Sequence, residues 1–364
     1  MHIEDLDTPA ILVDLDILER NLDSLAHYCR QNQLALRPHT KTHKTPQIAK
    51  MQIESGCHGI TVAKVGEAEV MAKSGIEDIL IAYPIVGQSK IERLTKLAQL
   101  SKIAVSLDSL EVAQSISEAA RQAGCHIQIL VEFDIGMHRC GLQSISEWLR
   151  VAQGVDQLQN LQFKGLMFYP GHIWDPPDQQ TAALNQLSAT IEEIRLESEK
   201  AGLAMETVSG GSTPTAYNSH RVKGLTEIRA GTYVFYDMNE LKAGFCQLSQ
   251  CALRVLVTVV SHAVEERAMI DGGSKTFSGD RLVSGDRLGF GLVTEDPGIQ
   301  FVSMSEEHGH LDISRANHRP RAGDKLTVIP NHVCSCVNMH DQIYYHRNGI
   351  VEEVWTVEGR GKIR

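Results

Sequence analysis

The sequence predicts a (β/α)8 barrel followed by a mostly antiparallel β domain. Over residues 14–245, eight short apolar segments alternate with segments whose apolar residues recur at helical spacing. This alternation is typical of a parallel barrel with helices outside it. Polar side chains follow several of the apolar segments, which is where a barrel places its reactive groups. From residue 246 onward, β-rich segments are separated by turns, which indicates a second, β-rich domain.

The composition is that of a folded globular protein. The chain has 364 residues, of which 42% are hydrophobic and 22% are charged, so it can bury a large core. Its formal net charge of -10 gives no general attraction for nucleic acid or for an anionic membrane. We therefore expect neither kind of partner.

Nothing in the sequence directs the chain to a membrane or out of the cell. No apolar run approaches the roughly 20 residues that span a bilayer, and residues 1–7 are acidic where a signal peptide is basic. The eight cysteines lack the spacing of a small disulfide scaffold, which predicts free thiols. We expect a cytoplasmic protein.

The chain opens with a strand over residues 8–13 and a helix over residues 15–30. Asp14 offers a side chain that can cap the helix. Apolar residues then recur at the spacing of an amphipathic helix; they are Leu15, Leu18, Leu22, Leu25, Ala26 and Cys29. We expect the strand, within residues 1–13, to join the C-terminal β domain.

Eight strands and the helices between them form the predicted barrel of residues 14–245. The strands are expected at residues 34–39, 59–63, 78–83, 103–107, 127–133, 163–168, 206–209 and 226–229. Helices are expected at residues 65–74, 89–100, 110–123, 145–152 and 179–200. Ser109 caps the helix of residues 110–123 and Gly124 closes it. An open doubly wound sheet is less favoured, because no glycine-rich dinucleotide turn follows an early strand.

The C-terminal domain, residues 246–364, carries six predicted strands and no convincing helix. The strands are expected at residues 253–263, 267–271, 301–305, 325–329, 342–346 and 350–357. Runs rich in β-branched and aromatic residues between turn signals support this assignment.

A cationic stretch follows the first barrel strand. Residues 37–44 read RPHTKTHK, and in an extended chain Arg37, His39 and Lys41 share one face. A lysine among other cations has its charged form disfavoured, so it spends more time as the nucleophilic amine. This environment suits a lysine that bonds to a carbonyl cofactor; a solvated basic loop is the alternative.

Two glycine-rich turns follow the last two barrel strands. Residues 209–215 read SGGSTPT, where glycines let backbone amides approach an anion and hydroxyl groups add donors. Residues 229–233 read RAGTY and offer a second turn. Two anion-binding turns together with a lysine at a strand end indicate pyridoxal phosphate.

The motifs of this chain resemble those of the D-threonine aldolase and eukaryotic-type D-serine dehydratase family, whose members are relatives of alanine racemase. The matching motifs extend over nearly the whole chain: DTPA at 7–10, RPHTKTHK at 37–44, DIGMHRCG at 134–141, YPGH at 169–172, GSTPT at 211–215, EIRAGTY at 227–233 and PNHVC at 330–334. The resemblance implies a pyridoxal-phosphate-dependent lyase.

The resemblance also implies roles for the matching residues. It makes Lys41 the Schiff-base lysine, with Lys44 a second choice, and it places Arg139 near the phenolic oxygen of the cofactor. Arg229 matches an arginine near the pyridine nitrogen in the racemases, although an ion pair with Glu227 or Asp237 is an equal alternative. The other residues expected around the cofactor and its phosphate are His39, Tyr169, His172, Gly211, Ser212, Thr213, Gly231, Thr232 and Tyr233.

His332 and Cys334 form a candidate metal pair. On a strand, positions i and i+2 face the same side, so the imidazole and the thiolate can converge on one ion and leave positions open for substrate. The resemblance makes this the metal pair of the family, and a soft thiolate favours zinc over manganese. Cys336 is expected to pack in the core. Whether His308, His310 and Asp341 approach this pair or only serve loops stays open.

The resemblance implies a reaction on D-3-hydroxy amino acids. In a dehydratase, Lys41 removes the α proton and the metal helps the β-hydroxyl group leave, which yields a 2-oxo acid and ammonia. In an aldolase, His172 removes the hydroxyl proton and the Cα–Cβ bond breaks, which yields glycine and an aldehyde. Cys334 favours the dehydratase, because aldolase members tend to carry aspartate at that position.

Two further alternatives are less favoured. A racemase needs a second base opposite Lys41, and no residue clearly supplies one. A non-catalytic pyridoxal-phosphate-binding protein would not need the β domain or its metal pair. The family also implies a homodimer.

Overall fold

The computed structural model describes residues 1–283 and 289–364. The chain forms two compact units, which we name the barrel unit and the β unit. The barrel unit contains Ser24–Lys41, Pro46–Gly231 and Gly361–Arg364. The β unit contains Met1–Asp23, Thr42–Thr45 and Thr232–Arg360. The domain bounds predicted from the sequence, residues 14–245 and 246–364, stay a prediction.

The first two elements match the sequence pattern. Strand β1 (Ala10–Asp14) leads into helix α1 (Leu15–Gln31), and the apolar positions Leu18, Leu22 and Leu25 are buried. The Asp14 carboxylate accepts a hydrogen bond from the backbone N–H of Ile17 at 3.0 Å. The predicted cap is therefore confirmed, because this bond satisfies one of the unpaired donors of the first turn.

All eight predicted barrel strands are present and parallel. They are β2 (Ala35–Leu36), β3 (Ile60–Val62), β4 (Asp78–Ile81), β5 (Lys102–Leu107), β6 (Ile127–Glu132), β7 (Leu161–Met167), β8 (Thr207–Gly210) and β9 (Glu227–Ile228). The hydrogen-bonded order is β2-β9-β8-β7-β6-β5-β4-β3. A parallel bridge between His39 and Thr61 links the two ends, so the sheet closes and the open doubly wound alternative is wrong.

The five predicted helices lie between the strands, and a further helix, α2 (Pro46–Glu54), follows β2. The predicted helices are α3 (Val65–Lys73), α4 (Gln88–Leu97), α5 (Leu110–Ala123), α6 (Ile145–Asp156) and α7 (Thr181–Lys200). The Ser109 hydroxyl accepts the backbone N–H of Val112, and Gly124 ends α5 in the left-handed conformation. Inside the barrel, an apolar layer is formed by Leu80, Ala104, Leu130 and Met167.

The β unit is built on one mostly antiparallel sheet of nine strands. Besides β1, the strands are β10 (Leu253–Ser261), β11 (Arg267–Ile270), β12 (Gly291–Val293), β13 (Gln300–Met304), β14 (Gly309–Asp312), β15 (Lys325–Pro330), β16 (Gln342–Arg347) and β17 (Ile350–Thr356). Strand β1 pairs with β10 on one side and with β16 on the other. The sequence pattern missed β12 and β14, which are too short for a clear alternation of side chains.

Two short helices correct the prediction that residues 246–364 contain no helix. They are α9 (Ser274–Phe277) and α10 (Val333–Val337); a third short helix, α8 (Met238–Lys242), lies before that range. His332 is the N-cap residue of α10, so the HVC motif is not on a strand. Tertiary packing decides this, because the propensity of a five-residue segment is a weak signal.

The thiols agree with one expectation from the sequence. All eight cysteines are free, so the prediction of free thiols is confirmed. Within residues 1–283 and 289–364, no helix is both long enough and apolar enough to cross a membrane.

Candidate active site

Lys41, Tyr169 and Arg139 come together at the C-terminal end of the barrel. The Lys41 Nζ atom lies 6.0 Å from the centroid of the Tyr169 ring. The guanidinium carbon of Arg139 lies 4.7 Å from the same centroid. Two cations close to one aromatic ring form a cation–π arrangement. The Lys41 amine and the Arg139 guanidinium are therefore both close to the Tyr169 ring.

His39 supports the backbone of this group. The backbone N–H of His39 donates to the carbonyl of Ala230 at 2.9 Å. This bond extends the pairing of β2 with β9. The Nδ1 atom of His39 accepts the backbone N–H of Lys41 at 3.3 Å. Because Nδ1 is an acceptor, the neutral ring carries its proton on Nε2.

Arg37 does not belong to this group, which corrects the expected shared face of Arg37, His39 and Lys41. The chain turns after His39, and Lys41 lies in that turn rather than on a strand. The Arg37 guanidinium forms ion pairs with Glu227 and with Asp78. Asp78 is the first residue of β4, so Arg37 reaches towards the N-terminal end of the barrel.

The carboxylate of Asp134 organises the loop that carries Arg139. It accepts the backbone N–H groups of Gly136 and His138, both at 3.0 Å, and it also binds the His138 ring at 2.9 Å and the Gln143 amide at 3.0 Å. Burial raises the pKa of Asp134, but these hydrogen bonds outweigh it and lower the pKa to about 2. The loop is therefore held by an ionised side chain.

His172 lies against the same loop. An ideal Cβ on Gly136 would be 3.2 Å from the His172 Nε2 atom, and Gly136 has a φ angle of +117°. The His172 imidazole thus packs against the backbone of Gly136, which has no side chain, and it is exposed to solvent. An exposed imidazole is available for proton transfer.

The turn after β8 has the features predicted for a phosphate site. Gly211 has a φ angle of +96°, a conformation that favours glycine. An ideal Cβ on Gly210 would lie 2.1 Å from the Phe168 ring. The hydroxyl groups of Ser212 and Thr215 are 3.1 Å apart, and Ser212 and Thr213 are buried. Polar groups therefore line a turn whose glycines could not be replaced by residues with side chains.

The second glycine-rich turn continues the chain after β9. Ala230 and Gly231 are buried. Thr232 and Tyr233 begin a 3₁₀-helix, Thr232–Val234. The carbonyl of Thr232 accepts the backbone N–H of Phe235 at 3.0 Å and that of Tyr236 at 2.7 Å, so this carbonyl is used within the turn.

Arg229 is buried beneath the strand ends. Its Nη1 donates to the Ser209 hydroxyl at 2.7 Å and its Nη2 donates to the Phe168 carbonyl at 2.8 Å. Arg229 reaches Glu227 through Ser209, rather than by the direct ion pair considered from sequence. Burial lowers the pKa of Arg229 to about 10, although the carboxylates of Glu227 and Glu132 oppose the fall. The guanidinium is thus charged at neutral pH.

In the β unit, the side chains of His332 and Cys334 are in hydrogen-bond contact. They meet at the start of α10, not by the strand periodicity that predicted them. The Cys334 thiol also lies 3.2 Å from the Thr42 hydroxyl. Burial lowers the pKa of His332, but Cys334 and Asp237 outweigh it and raise the pKa well above its ordinary value.

A buried carboxyl pair supports His332. Asp237 Oδ2 lies 3.1 Å from His332 Nδ1 and accepts the backbone N–H of Val333 at 2.9 Å. Burial raises the pKa of Asp237, yet hydrogen bonds from Glu240 and His332 keep it low. Burial and the neighbouring Asp237 raise the pKa of Glu240 well above its ordinary value. Glu240 is therefore neutral and donates to an ionised Asp237, which orients the imidazole as carboxylates orient metal-binding histidines.

The structure also gives the positions of other residues named from the sequence. Cys336 is buried and its thiol donates to the Thr276 carbonyl at 3.3 Å, as its predicted packing role requires. Asp341 forms an ion pair with Arg360 at 2.7 Å. His310 lies in β14. Among residues 1–283 and 289–364, no group of three or more His, Cys, Asp or Glu side chains could hold a metal ion.

Comparisons with known proteins place this arrangement in a family. Residues 13–239 match the model of the alanine racemase N-terminal domain. The chain belongs to this alanine racemase family. Residues 252–346 match a second model, described as a putative serine dehydratase domain.

Relatives in this family include both aldolases and dehydratases. A D-threonine aldolase from Arthrobacter sp. is 32% identical over 98% of this chain and 93% of its own length. A D-threonine aldolase structure from Filomicrobium marinum is 32% identical, covers 99% of this chain and 98% of its own, and has a TM-score of 0.92. D-threo-3-hydroxyaspartate dehydratase from Delftia sp. HT23 is 29% identical, covers 98% of each chain and has a TM-score of 0.89. The chain is thus a lyase of this pyridoxal-phosphate-dependent group.

The family implies pyridoxal phosphate, and the residues at the barrel end fit it. Lys41 supplies an amine for the aldehyde, and Tyr169 supplies an aromatic surface. Gly211 opens the turn in which Ser212 and Thr213 can bind a phosphate. This donor set suits an anionic aromatic aldehyde.

Several residues of the site were missed from sequence. Asp237 was considered only as a partner of Arg229, and Glu240, Thr42 and Ser209 were given no separate role. The sequence did carry a signal for Asp237 and Glu240. Asp237 caps α8, and an aspartate followed three residues later by a glutamate is a helix-start signature. That signature predicts a cap, but it cannot show that the carboxylate also binds a histidine 95 residues away.

Proposed function

We propose that this lyase is a dehydratase of D-3-hydroxy amino acids, with D-serine and D-threonine as the leading substrates. The products would be a 2-oxo acid and ammonia. The observation that carries the proposal is the Cys334 thiol beside His332, since cysteine at this position is the feature expected of a dehydratase.

Lys41 is proposed to have two roles. Its amine would hold the cofactor through the aldehyde, and as a free amine it would remove the α proton of the substrate. When bound, the cofactor supplies an electron sink for the electrons left at that carbon. Tyr169 and Arg139 would limit where the ring lies, because both border the space next to Lys41.

His332 and Cys334 are proposed to hold a divalent metal ion, with zinc favoured over manganese because a thiolate is a soft ligand. Such a metal supplies Lewis acidity for a departing hydroxyl group. Asp237 supports this assignment because it fixes the orientation of the His332 ring. Among relatives, a cysteine-to-alanine variant of a D-threo-3-hydroxyaspartate dehydratase has been solved in a metal-free form.

The metal proposal is tested by metal analysis of purified His332→Ala and Cys334→Ala. Both should lose bound zinc, whereas Cys125→Ala, which removes a buried thiol from the barrel unit, should retain it. Undiminished zinc in His332→Ala would refute the site.

A D-threonine aldolase is the second candidate. His172 favours it, because an exposed imidazole on the Gly136 backbone can accept the proton of a β-hydroxyl group. The 32% identity to the Arthrobacter aldolase over nearly the full chain also supports it. In this reaction the Cα–Cβ bond breaks instead of the Cβ–O bond.

One experiment separates the two reactions. The purified protein is incubated with pyridoxal phosphate, zinc or manganese, and D-threonine, and then D-serine. From D-threonine, 2-oxobutyrate with ammonia identifies a dehydratase, and acetaldehyde with glycine identifies an aldolase. L-threonine and Lys41→Ala serve as controls. No product from any D-3-hydroxy amino acid would contradict both reactions.

The assembly and the location of the protein are also proposed. A homodimer is expected from the family, and light scattering coupled to size exclusion tests it, with a monomer mass as the contradicting result. A cytoplasmic location is proposed from the eight free cysteines.

A further inference from the structure

We propose that Ser209 is a positioning residue for the cofactor site, and that it acts with Glu227 to hold the Arg229 guanidinium in one orientation. This inference rests on the proposed function, because it assumes that Arg229 faces bound pyridoxal phosphate. It gives a role to two buried polar side chains that the reaction itself does not use.

Three short hydrogen bonds carry the argument. Arg229 Nη1 lies 2.7 Å from Ser209 Oγ, and Ser209 Oγ lies 2.6 Å from Glu227 Oε1. Arg229 Nη2 lies 2.8 Å from the Phe168 carbonyl. Ser209 is fully buried and Arg229 and Glu227 are nearly so, so water cannot replace these partners.

The direction of each bond follows from chemistry alone. A guanidinium can only donate, and an ionised carboxylate can only accept. Ser209 must therefore accept from Arg229 and donate to Glu227. Its hydroxyl proton has a single orientation, and the oxygen presents a lone pair to Arg229 in a fixed direction.

Two anchors are needed to fix a planar group. With Ser209 and Phe168 both in place, the guanidinium plane cannot rotate about its Cδ–Nε axis. With Phe168 alone, it can. Arginine has five N–H donors. The donors that are not used by Ser209 and Phe168 are then held in one direction, towards the space above the strand ends, where we infer that the cofactor ring lies.

The support continues below Ser209 to the other end of the barrel. Arg37 Nε donates to the second oxygen of Glu227 at 2.7 Å, and Arg37 also pairs with Asp78. Asp78 in turn binds Lys102 at 2.8 Å. Opposite charges alternate along this series, so the two oxygens of Glu227 are held by Ser209 on one side and by Arg37 on the other. Arg37 thereby gains a structural role in place of the reactive role predicted for it.

The test compares Ser209→Ala with Ser106→Ala. Ser106 is matched to Ser209, because it is a fully buried serine of another barrel strand, β5, and its hydroxyl has no hydrogen-bond partner within the described residues. The readouts are the dissociation constant of pyridoxal phosphate, the position of its visible absorption band and the melting temperature. Ser209→Ala should weaken cofactor binding roughly tenfold, the order expected from losing a hydrogen bond to a charged group, and should shift the band. Ser106→Ala should change neither.

Ser209→Cys covers the case in which Ser209→Ala fails to fold, because a thiol keeps the volume but makes weak hydrogen bonds. We expect an intermediate loss of affinity and a band shift in the same direction. If Ser209→Ala or Ser209→Cys shows a lower melting temperature but the wild-type affinity and band, Ser209 is merely structural and the inference is overturned. A wild-type protein that binds no pyridoxal phosphate would overturn the proposed function and this inference together.

Discussion

The two lysines of the RPHTKTHK stretch have different surroundings, and this decides which of them suits covalent chemistry. Lys41 is half-buried with its amine near the Tyr169 ring. Lys44 is buried, and its Nζ donates to Asn338 Oδ1 at 2.8 Å. An amine held in a hydrogen bond by the Asn338 amide is not placed to attack an aldehyde, whereas an amine at the open end of a barrel is.

Substitution of each lysine by methionine should separate these roles. Lys41→Met should abolish the visible absorption of covalently bound pyridoxal phosphate. Lys44→Met should keep that absorption but lower the free energy of unfolding by about 1–3 kcal/mol, because it removes the hydrogen bond from a charged amine to Asn338. Absorption spectra and urea unfolding measure both effects. An unchanged spectrum in Lys41→Met would refute the assignment.

Asp134 allows a prediction of pH dependence. Its pKa in the folded protein is about 2, below the value of about 3.9 in an unfolded chain. The ionised carboxylate therefore stabilises the fold by about 2 kcal/mol above pH 4, and this stability is lost as the pH falls towards 2.

The variant Asp134→Asn should be less stable than the wild type at pH 7, and the difference should shrink at pH 3. Urea unfolding at the two pH values measures it. Asp156→Asn, at an exposed position at the end of α6, is the control and should show little difference at either pH. A difference for Asp134→Asn that is the same at both pH values would contradict the ionised clamp.

At the scale of elements, strand β8 leaves no room for a side chain at its last residue, Gly210. A side chain at Gly210 would occupy the space of the Phe168 ring, and Gly211, the next residue, has a positive φ angle. Strand β8 also carries Ser209, so the packing of this strand on Phe168 places both the phosphate turn and the support of Arg229. A shift in β8 would disturb all of these at once.

Gly210→Ala should therefore destabilise the protein by roughly 1–3 kcal/mol or more through overpacking, and should weaken pyridoxal phosphate binding. Thermal unfolding and cofactor titration test it. Gly279→Ala is the control, because an added Cβ there meets no described atom within 4 Å. Equal stability of the two variants would show that the Phe168 ring moves aside without cost.

At the scale of the whole molecule, cofactor binding should be linked to folding. Most residues of the proposed cofactor site come from widely separated parts of the chain, so they can form the site only in the folded state. A ligand that binds only the folded state stabilises it by about 2.7 kcal/mol at a concentration 100 times its dissociation constant.

Excess pyridoxal phosphate should accordingly raise the melting temperature of the wild type, and should raise that of Lys41→Met by less, because the covalent contribution is absent. Differential scanning fluorimetry at increasing cofactor concentration measures both shifts. Pyridoxine, which lacks the aldehyde and the phosphate, is the control ligand. Equal shifts in the two proteins would argue against covalent attachment through Lys41.

The sequence by itself determined the barrel, the β-rich remainder, the caps of α1 and α5 and the candidate residues of the cofactor site. These features depend on periodicity and on local turn chemistry, which are written in neighbouring residues. Tertiary structure alone decided that Arg37 pairs with Glu227 190 residues away, that His332 caps a helix, and that Asp237 and Ser209 support His332 and Arg229. Such pairings depend on which side chains the closed sheets bring together, and no local pattern specifies a partner at that separation.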